Sequence, residues 1–378
     1  MASIPTAAGL ELKDKKKSID VGQIPQWRLM IRRFMRSKLS VGAGIVLVIL
    51  YLLMIFADFV SPYEANFKDG DQIYAAATPM GFEGGSWVVY GRKSELNTDT
   101  FEFVYTTDYN NPLPVRLFAQ GFPYRLLGLF PTTTHLFGVD KPADPDVVAG
   151  LHLWGTDGLG RDVFSRVLIG GRISLTIGLI GVAISVIIGA IFGTASGYFG
   201  GWIDNLMQRM IELIQSFPQL PLWAALSAAI DPNIPVERRF LLITVVLSLV
   251  TWTGLAREVR GKVLAFRTAD YTAAARAAGS SHLRIILTHM IPNSLSHIIV
   301  VATLAVPATI LGETALSFLG LGILPPAVSW GVLLQEAQQV TSVIKYPWLI
   351  IPAGAVVLAV LCYSLLGDGV RDAVDPYA

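Results

Sequence analysis

Apolar residues in this chain gather in long runs rather than in short alternating stripes. Six runs approach the ~20 residues that a helix needs to cross a hydrocarbon core of ~30 Å. They lie at 40–60, 173–197, 205–230, 240–259, 294–322 and 346–366. The second is rich in glycine (Gly178, Gly181, Gly189, Gly193), a composition that suits close helix packing better than solute binding. The third is interrupted by Arg209, Glu212, Pro218 and Pro221, and the fifth contains Pro307 and Glu313. The pattern predicts an all-α polytopic membrane protein with six transmembrane helices.

Lysines and arginines beside the runs set the orientation, because short loops rich in them stay cytoplasmic. Arg28, Arg32, Arg33, Arg36 and Lys38 precede the first run. Arg257, Arg260, Lys262, Arg267, Arg276 and Arg284 lie between the fourth and fifth, and Arg371 follows the sixth. Six crossings put all three groups, and both termini, on the cytoplasmic side. Arg161, Arg166 and Arg172 run against the rule by preceding the second run on the other side, with Asp157 and Asp162 offsetting part of their charge. In the tail at 1–39, Trp27, Met30, Ile31 and Phe34 recur at helical spacing among arginines. This suits a short helix lying in the membrane interface, or an early start to the first span. The polar start with Lys15, Lys16 and Lys17, and no small-residue cleavage site after the first run, predict a retained anchor rather than a cleaved leader.

Residues 61–153 have a different character. Turn-forming Gly84-Gly85 and Asn110-Asn111-Pro112 separate runs rich in β-branched and aromatic residues, such as those at 87–90 and 101–105. They predict a small β-rich insert on the extracytoplasmic side. Gly91-Arg92-Lys93-Ser94 has the wrong spacing for a phosphate-binding loop and is set aside.

Composition fits the membrane reading. The chain is 53% hydrophobic and 15% charged, against about 25% charged in a soluble domain. A net charge of +1 argues against nucleic acid as a partner. The single cysteine, Cys362, lies in an apolar run, where an inert buried thiol is expected. The five histidines are scattered, and no HExxH, cysteine cluster, GxSxG or complete Walker A loop is present. Neither catalysis nor a metal or cofactor site is predicted, so any ATP-driven work would need an engine on another chain.

The most informative stretch lies between the fourth and fifth runs. It begins Asp270-Tyr271-Thr272-Ala273-Ala274-Ala275-Arg276-Ala277-Ala278-Gly279 and ends Met290-Ile291-Pro292. The alanines favour helix, Gly279 can close it in the left-handed conformation, and Leu283, Ile286, Leu287 and Met290 predict an apolar stripe on a second helix that Pro292 closes. By its physics the unit is either a docking element or a tight amphipathic loop.

This stretch resembles the coupling loop of ABC importer permeases, a pattern of roughly E-A-A-x3-G-x9-I-x-L-P. Ala274, Ala275, Gly279 and Pro292 fall at the family spacing, while Ala273 stands where glutamate is common and His289 where isoleucine is common. Further motifs follow in family order: Gly155 to Asp162 with Ser165-Arg166 and Gly171 to Leu175; Gly197 to Asp204 with Arg209; Ser317 to Gly322 with Pro325-Pro326 and Ser329-Trp330-Gly331; and Leu366 to Asp372 with Asp375-Pro376. Together they resemble the dipeptide and oligopeptide permeases, most closely the C-type subunit, over 27–63 and from 151 to the end. The insert is longer than that resemblance accounts for.

The resemblance implies the type I ABC importer permease fold. It implies a homologous permease partner, one or two ATPase subunits that carry ATP and Mg, and an extracytoplasmic solute-binding protein. This chain itself would be neither an enzyme nor a cofactor binder. It would form half of a path for di- or oligopeptides, with oligosaccharides, opines or nickel chelates as alternatives, in a bacterial inner membrane. Asp270, Tyr271, Ala274, Ala275, Arg276, Gly279 and Pro292, within a loop at 262–292 of a core at 154–378, would be where ATPase motion enters. Glu313 and Pro307 are candidates for the pathway or its gate. Arg209 and Glu212 are too, or form a mutual i,i+3 pair. A secondary transporter, a channel or a membrane scaffold built around the insert are the competing classes; ATP dependence of uptake separates them, and an inverted repeat, expected of many secondary transporters, is not visible.

Overall fold

A computed structural model describes residues 26–99, 102–140, 148 and 150–374. Lys15, Lys16 and Lys17, like Asp375-Pro376, lie outside the described residues. Helix α1 (Gln26–Phe34) is short and amphipathic, as its spacing predicts, and packs against the last helix. Ser37 then caps α2 (Lys38–Ile55) by accepting a hydrogen bond from the Ser40 amide. One further turn, α3 (Ala57–Val60), ends the first apolar run.

The insert is an antiparallel meander of β1 (Met80–Glu83), β2 (Ser86–Asn97), β3 (Glu102–Leu126) and β4 (Phe130–Val139). Gly84 and Gly85, with φ of 58° and 83°, make the expected first turn. Asn110-Asn111-Pro112 is not a turn. It lies inside β3, where Tyr90 pairs with Pro112 but Gly91 pairs with Asp108. The Asp108 carboxylate accepts from the Asn110 amide and the Asn111 side chain, so turn chemistry closes a bulge instead.

The core begins with α4 (Val163–Phe199), ten residues earlier than the apolar run predicts. Its start is set by Asp162, which accepts from the Ser165 amide at 2.7 Å. The third predicted span is a broken one: α5 (Gly201–Gln215) and α6 (Gln219–Ala228) are separated at Pro218, which cannot donate to the α5 ladder. Helix α7 (Val236–Arg267) runs two turns past the fourth predicted span, so Arg257, Arg260, Lys262 and Arg267 lie on a helix rather than in a loop. Then come α8 (Asp270–Ala277), α9 (His282–Ile285), a π turn at Ile286–Met290 and α10 (Ile291–Phe318). Pro307 stays buried inside a continuous α10. The chain ends with α11 (Trp330–Gln335), α12 (Val340–Lys345) and α13 (Ile351–Val374). Among the described residues, five stretches of helix are continuous, long and apolar enough to cross a membrane. The remaining predicted crossing falls on the α5–α6 pair, neither helix of which is long enough to cross by itself.

Helix α4 is central, touching α2, α5, α7, α10 and α11. Its glycines are packing sites. A Cβ on Gly178 would come within 2.7 Å of Ile310, one on Gly189 within 2.5 Å of Leu255, and one on Gly193 within 2.4 Å of the Ala256 carbonyl oxygen. Small residues let backbones meet where lipid supplies no hydrophobic drive. Gly193→Ala should therefore lower the thermal unfolding midpoint of the detergent-solubilised protein, with an overpacking cost of about 1–3 kcal/mol. Gly254→Ala, at a position with open space around it, should leave the midpoint unchanged. Equal midpoints for the two variants would refute the seam.

Candidate functional site

The helix–turn–helix at 270–292 forms as its composition predicts. Gly279 takes φ of 75°. The Ser280 amide donates to the Ala275 carbonyl and the Gly279 amide to that of Arg276, the paired bonds that close a helix through a left-handed residue. The second half departs from expectation. Ile285 and Met290 are buried, while Leu283 and Leu287 are exposed, so the predicted stripe is divided between an inner and an outer edge. The π turn shifts the register by one residue, which is why a 3.6-residue pattern misassigns it. Pro292 does not close the unit. It occupies the first turn of α10, where a missing N–H is tolerated.

The element is fastened to the spans. Ile285, Met290 and Ile298 pack with Tyr198 of α4 and with Leu255, Val259 and Val263 of α7. Thr272 is buried and donates to the Phe266 carbonyl at 2.8 Å. The Arg276 guanidinium lies 5.4 Å from the Tyr198 ring centroid, and the Tyr198 hydroxyl is 2.8 Å from His282 Nδ1. Tyr271 meets the His289 ring and accepts from Asn293. Asp270, Ala274 and Gly279 stay exposed, and Ala275 is half-buried. Beside the element, Arg260 grips Asp204 with two hydrogen bonds of 2.6 Å, joining α7 to the start of α5.

Glu313 has no exposed surface in this chain. Its carboxylate accepts from Ser174 of α4 at 2.8 Å and from Ser317 at 2.7 Å. Ser174 Oγ in turn accepts from the Trp330 amide, and Ser317 Oγ from that of Ile323. Glu313 thus organises the turn after α10, and the structure places it inside the packing rather than on an open path. Arg209 and Glu212 form the i,i+3 pair at 2.7 Å, with side chains 81% and 47% exposed.

A second polar centre was visible in the sequence only as a violation of the charge rule. Asp157 accepts from Arg161 Nε at 2.7 Å and from Arg166. Glu336, far along the chain, accepts from Arg161 at 2.6 Å and from Arg166 at 3.4 Å. Burial pushes the Glu336 carboxyl above its ordinary range, with the Asp157 charge adding to the effect. Arg172 pairs with Asp58 at 2.8 Å and donates to the Met54 carbonyl at 2.6 Å. All three arginines that oppose the orientation are held by carboxylates, so they are poor counts of free positive charge. The insert joins the same region: Tyr74 stacks on Tyr346 at 4.1 Å and Glu102 pairs with Lys345, next to Trp348, which donates to the Thr156 carbonyl within the core.

This architecture defines a polytopic membrane protein whose spans are tied mechanically to one short helical element. Residues 185–377 match the family described as the binding-protein-dependent transport system inner membrane component, and the chain belongs to that family. Residues 25–79 match the N-terminal transmembrane domain of oligopeptide transport permease C. The oligopeptide transport system permease protein OppC of Haemophilus influenzae is 45% identical over 230 residues, covering 60% of this chain and 71% of the relative. The OppC of Escherichia coli is 42% identical over 233 residues, covering 61% and 74%. The dipeptide transport system permease protein DppC of Bacillus subtilis is 40% identical over 227 residues, covering 60% and 68%.

Removing Asp157 leaves two buried guanidinium groups without their principal carboxylate. Asp157→Ala should cost about 3–5 kcal/mol of stability and show a lower melting midpoint than Glu336→Gln, whose carboxyl is the more exposed of the pair. The reverse ranking would contradict this assignment.

Proposed function

We propose that this chain is the transmembrane permease subunit of an ATP-driven importer, with the 270–292 element as the point where ATPase motion enters. One observation carries the reading. The element presents an exposed edge of Ala274, Gly279, Leu283 and Leu287, while its inner edge is packed into the ends of α4, α7 and α10. A partner that moved the outer edge would move those helices. ATP and Mg belong on one or two partner ATPase subunits, a homologous permease completes the path, and an extracytoplasmic binding protein delivers solute. The names of the relatives support di- or oligopeptides as that solute. Both termini and the element face the cytoplasm in this reading, and the insert faces outward near the mouth of the path.

Reporter fusions test the orientation: those near Asn97 should report the extracytoplasmic side and those near Gly279 the cytoplasm. A cytoplasmic signal at Asn97 would invert the topology. For coupling, Gly279→Glu should leave the protein in the membrane at normal levels and abolish ATP-dependent uptake. A Cβ there meets no atom within 4 Å, so the damage comes from the left-handed backbone and from a charge thrust into the partner contact. Ala274→Trp should act through bulk alone, whereas Ala273→Glu should be tolerated. Wild-type uptake by both damaging variants, with the ATPases still bound, would favour a secondary transporter.

A further inference from the structure

The β3–β4 hairpin ends in Leu126-Leu127-Gly128-Leu129-Phe130. Leu127, Leu129 and Phe130 are 53%, 71% and 64% exposed. Leu127 also holds φ of 54°, a left-handed conformation that leucine adopts poorly. The β1–β2 hairpin of the same sheet solves its turn conventionally, with Gly84 and Gly85 between Glu83 and Ser86. An exposed leucine where asparagine or glycine would fit the backbone better points to a demand on the side chain itself.

One ruler shows which way this tip points. Along β4, His135 meets the Asp58 carbonyl at 2.8 Å, and Phe137, two residues on, meets Phe164. Along α4, Phe137 meets Phe164 in the first turn, whereas Asp58 meets Arg172 about 12 Å deeper at 1.5 Å per residue. That ruler runs toward the membrane in the direction of Phe130, which lies five residues, up to roughly 17 Å, beyond His135. Phe118 of the same hairpin packs against Phe59 of α3, just past α2, with the rings tilted and their centroids 6.3 Å apart. The strands touch α3, which follows α2 directly, and α2 itself keeps Ile49, Leu52 and Ile55 exposed. Tyr124, Arg125 and Thr132 to Thr134 occupy the stem above the tip, the amphipathic belt expected at headgroup depth.

We propose that the β3–β4 tip inserts into the outer leaflet beside α2 and anchors the insert to lipid. The proposal rests on the reading of α2 as a span with the insert outside. The anchor, together with the contacts to α3 and to Lys345 and Tyr346, would hold the insert at a fixed tilt over the path.

Nitroxide labels in the complete transporter, reconstituted in lipid nanodiscs, test this. In a Cys362→Ala background, labels are placed by Leu129→Cys, by Phe130→Cys as an independent second position, by Ser86→Cys at the polar hairpin and by Ile49→Cys on α2. The labels at 129 and 130 should collide with oxygen severalfold more than with an aqueous nickel chelate, as at 49, with the opposite bias at 86. Nickel access at 129 and 130 equal to that at 86, with 49 still shielded, overturns the anchor alone. Shielding at 129 only after the solute-loaded binding protein is added overturns it in favour of a protein contact. Nickel access at 49 removes the spanning reading and the anchor with it.

Discussion

Helices α4 and α7 lie so close along Gly189, Gly193 and Gly197 that a methyl group at any of these positions would run into the opposite helix, at Leu255, the Ala256 carbonyl or the Arg260 carbonyl. In a bilayer, where lipid tails are as apolar as leucine, contact of this kind is what holds spans together. The apolar cluster under the 270–292 element starts where the seam ends. Tyr198 follows Gly197 directly, and Val259 and Val263 continue the same face of α7 to meet Ile285 and Met290. The pair is therefore packed as one body, and the element is seated on it. A bistable bundle biased through a rigid pair is a physical route by which a small push at one surface changes the packing of distant helices.

The polar groups follow the same economy. A charge in a low-dielectric bundle is tolerated when it is paired or fully hydrogen-bonded. Arg260 with Asp204 fastens one end of the bundle, and Asp157 with Arg161, Arg166 and Glu336 fastens the region beside the insert. Glu313, with serines in place of a cation, lies between the two and joins α4 to the turn that leads into α11. Each of these groups joins separate parts of the chain, so each sets where one element stands relative to another.

Much of the architecture was legible in the residues. The long apolar runs, the Pro218 break, the glycine-rich second run and the helix–turn–helix around Gly279 all follow from local rules of hydropathy, backbone freedom and capping. Local rules failed where a neighbour decided. Asn110-Asn111-Pro112 has turn chemistry, but β2 pairs across it and leaves a bulge. The apolar stripe from Leu283 to Met290 was drawn on an ideal helix, and a π turn re-aimed it. Arg161 and Arg166 counted as free charges in the orientation rule, because Glu336 is more than 150 residues away in sequence and its pairing has no local signature.

By itself, then, the sequence determined that the chain lives in a membrane, roughly where it crosses, and which short element stands out from the rest, since all three follow from interactions within a few turns of chain. Only the tertiary structure decided which glycines are seams, that Glu313 is a packing hub, that Arg161, Arg166 and Arg172 are paired with carboxylates, and that the β3–β4 hairpin ends in an exposed apolar tip. Those depend on side chains that meet across dozens or hundreds of residues, and such meetings are set by the packing of whole elements rather than by local propensity.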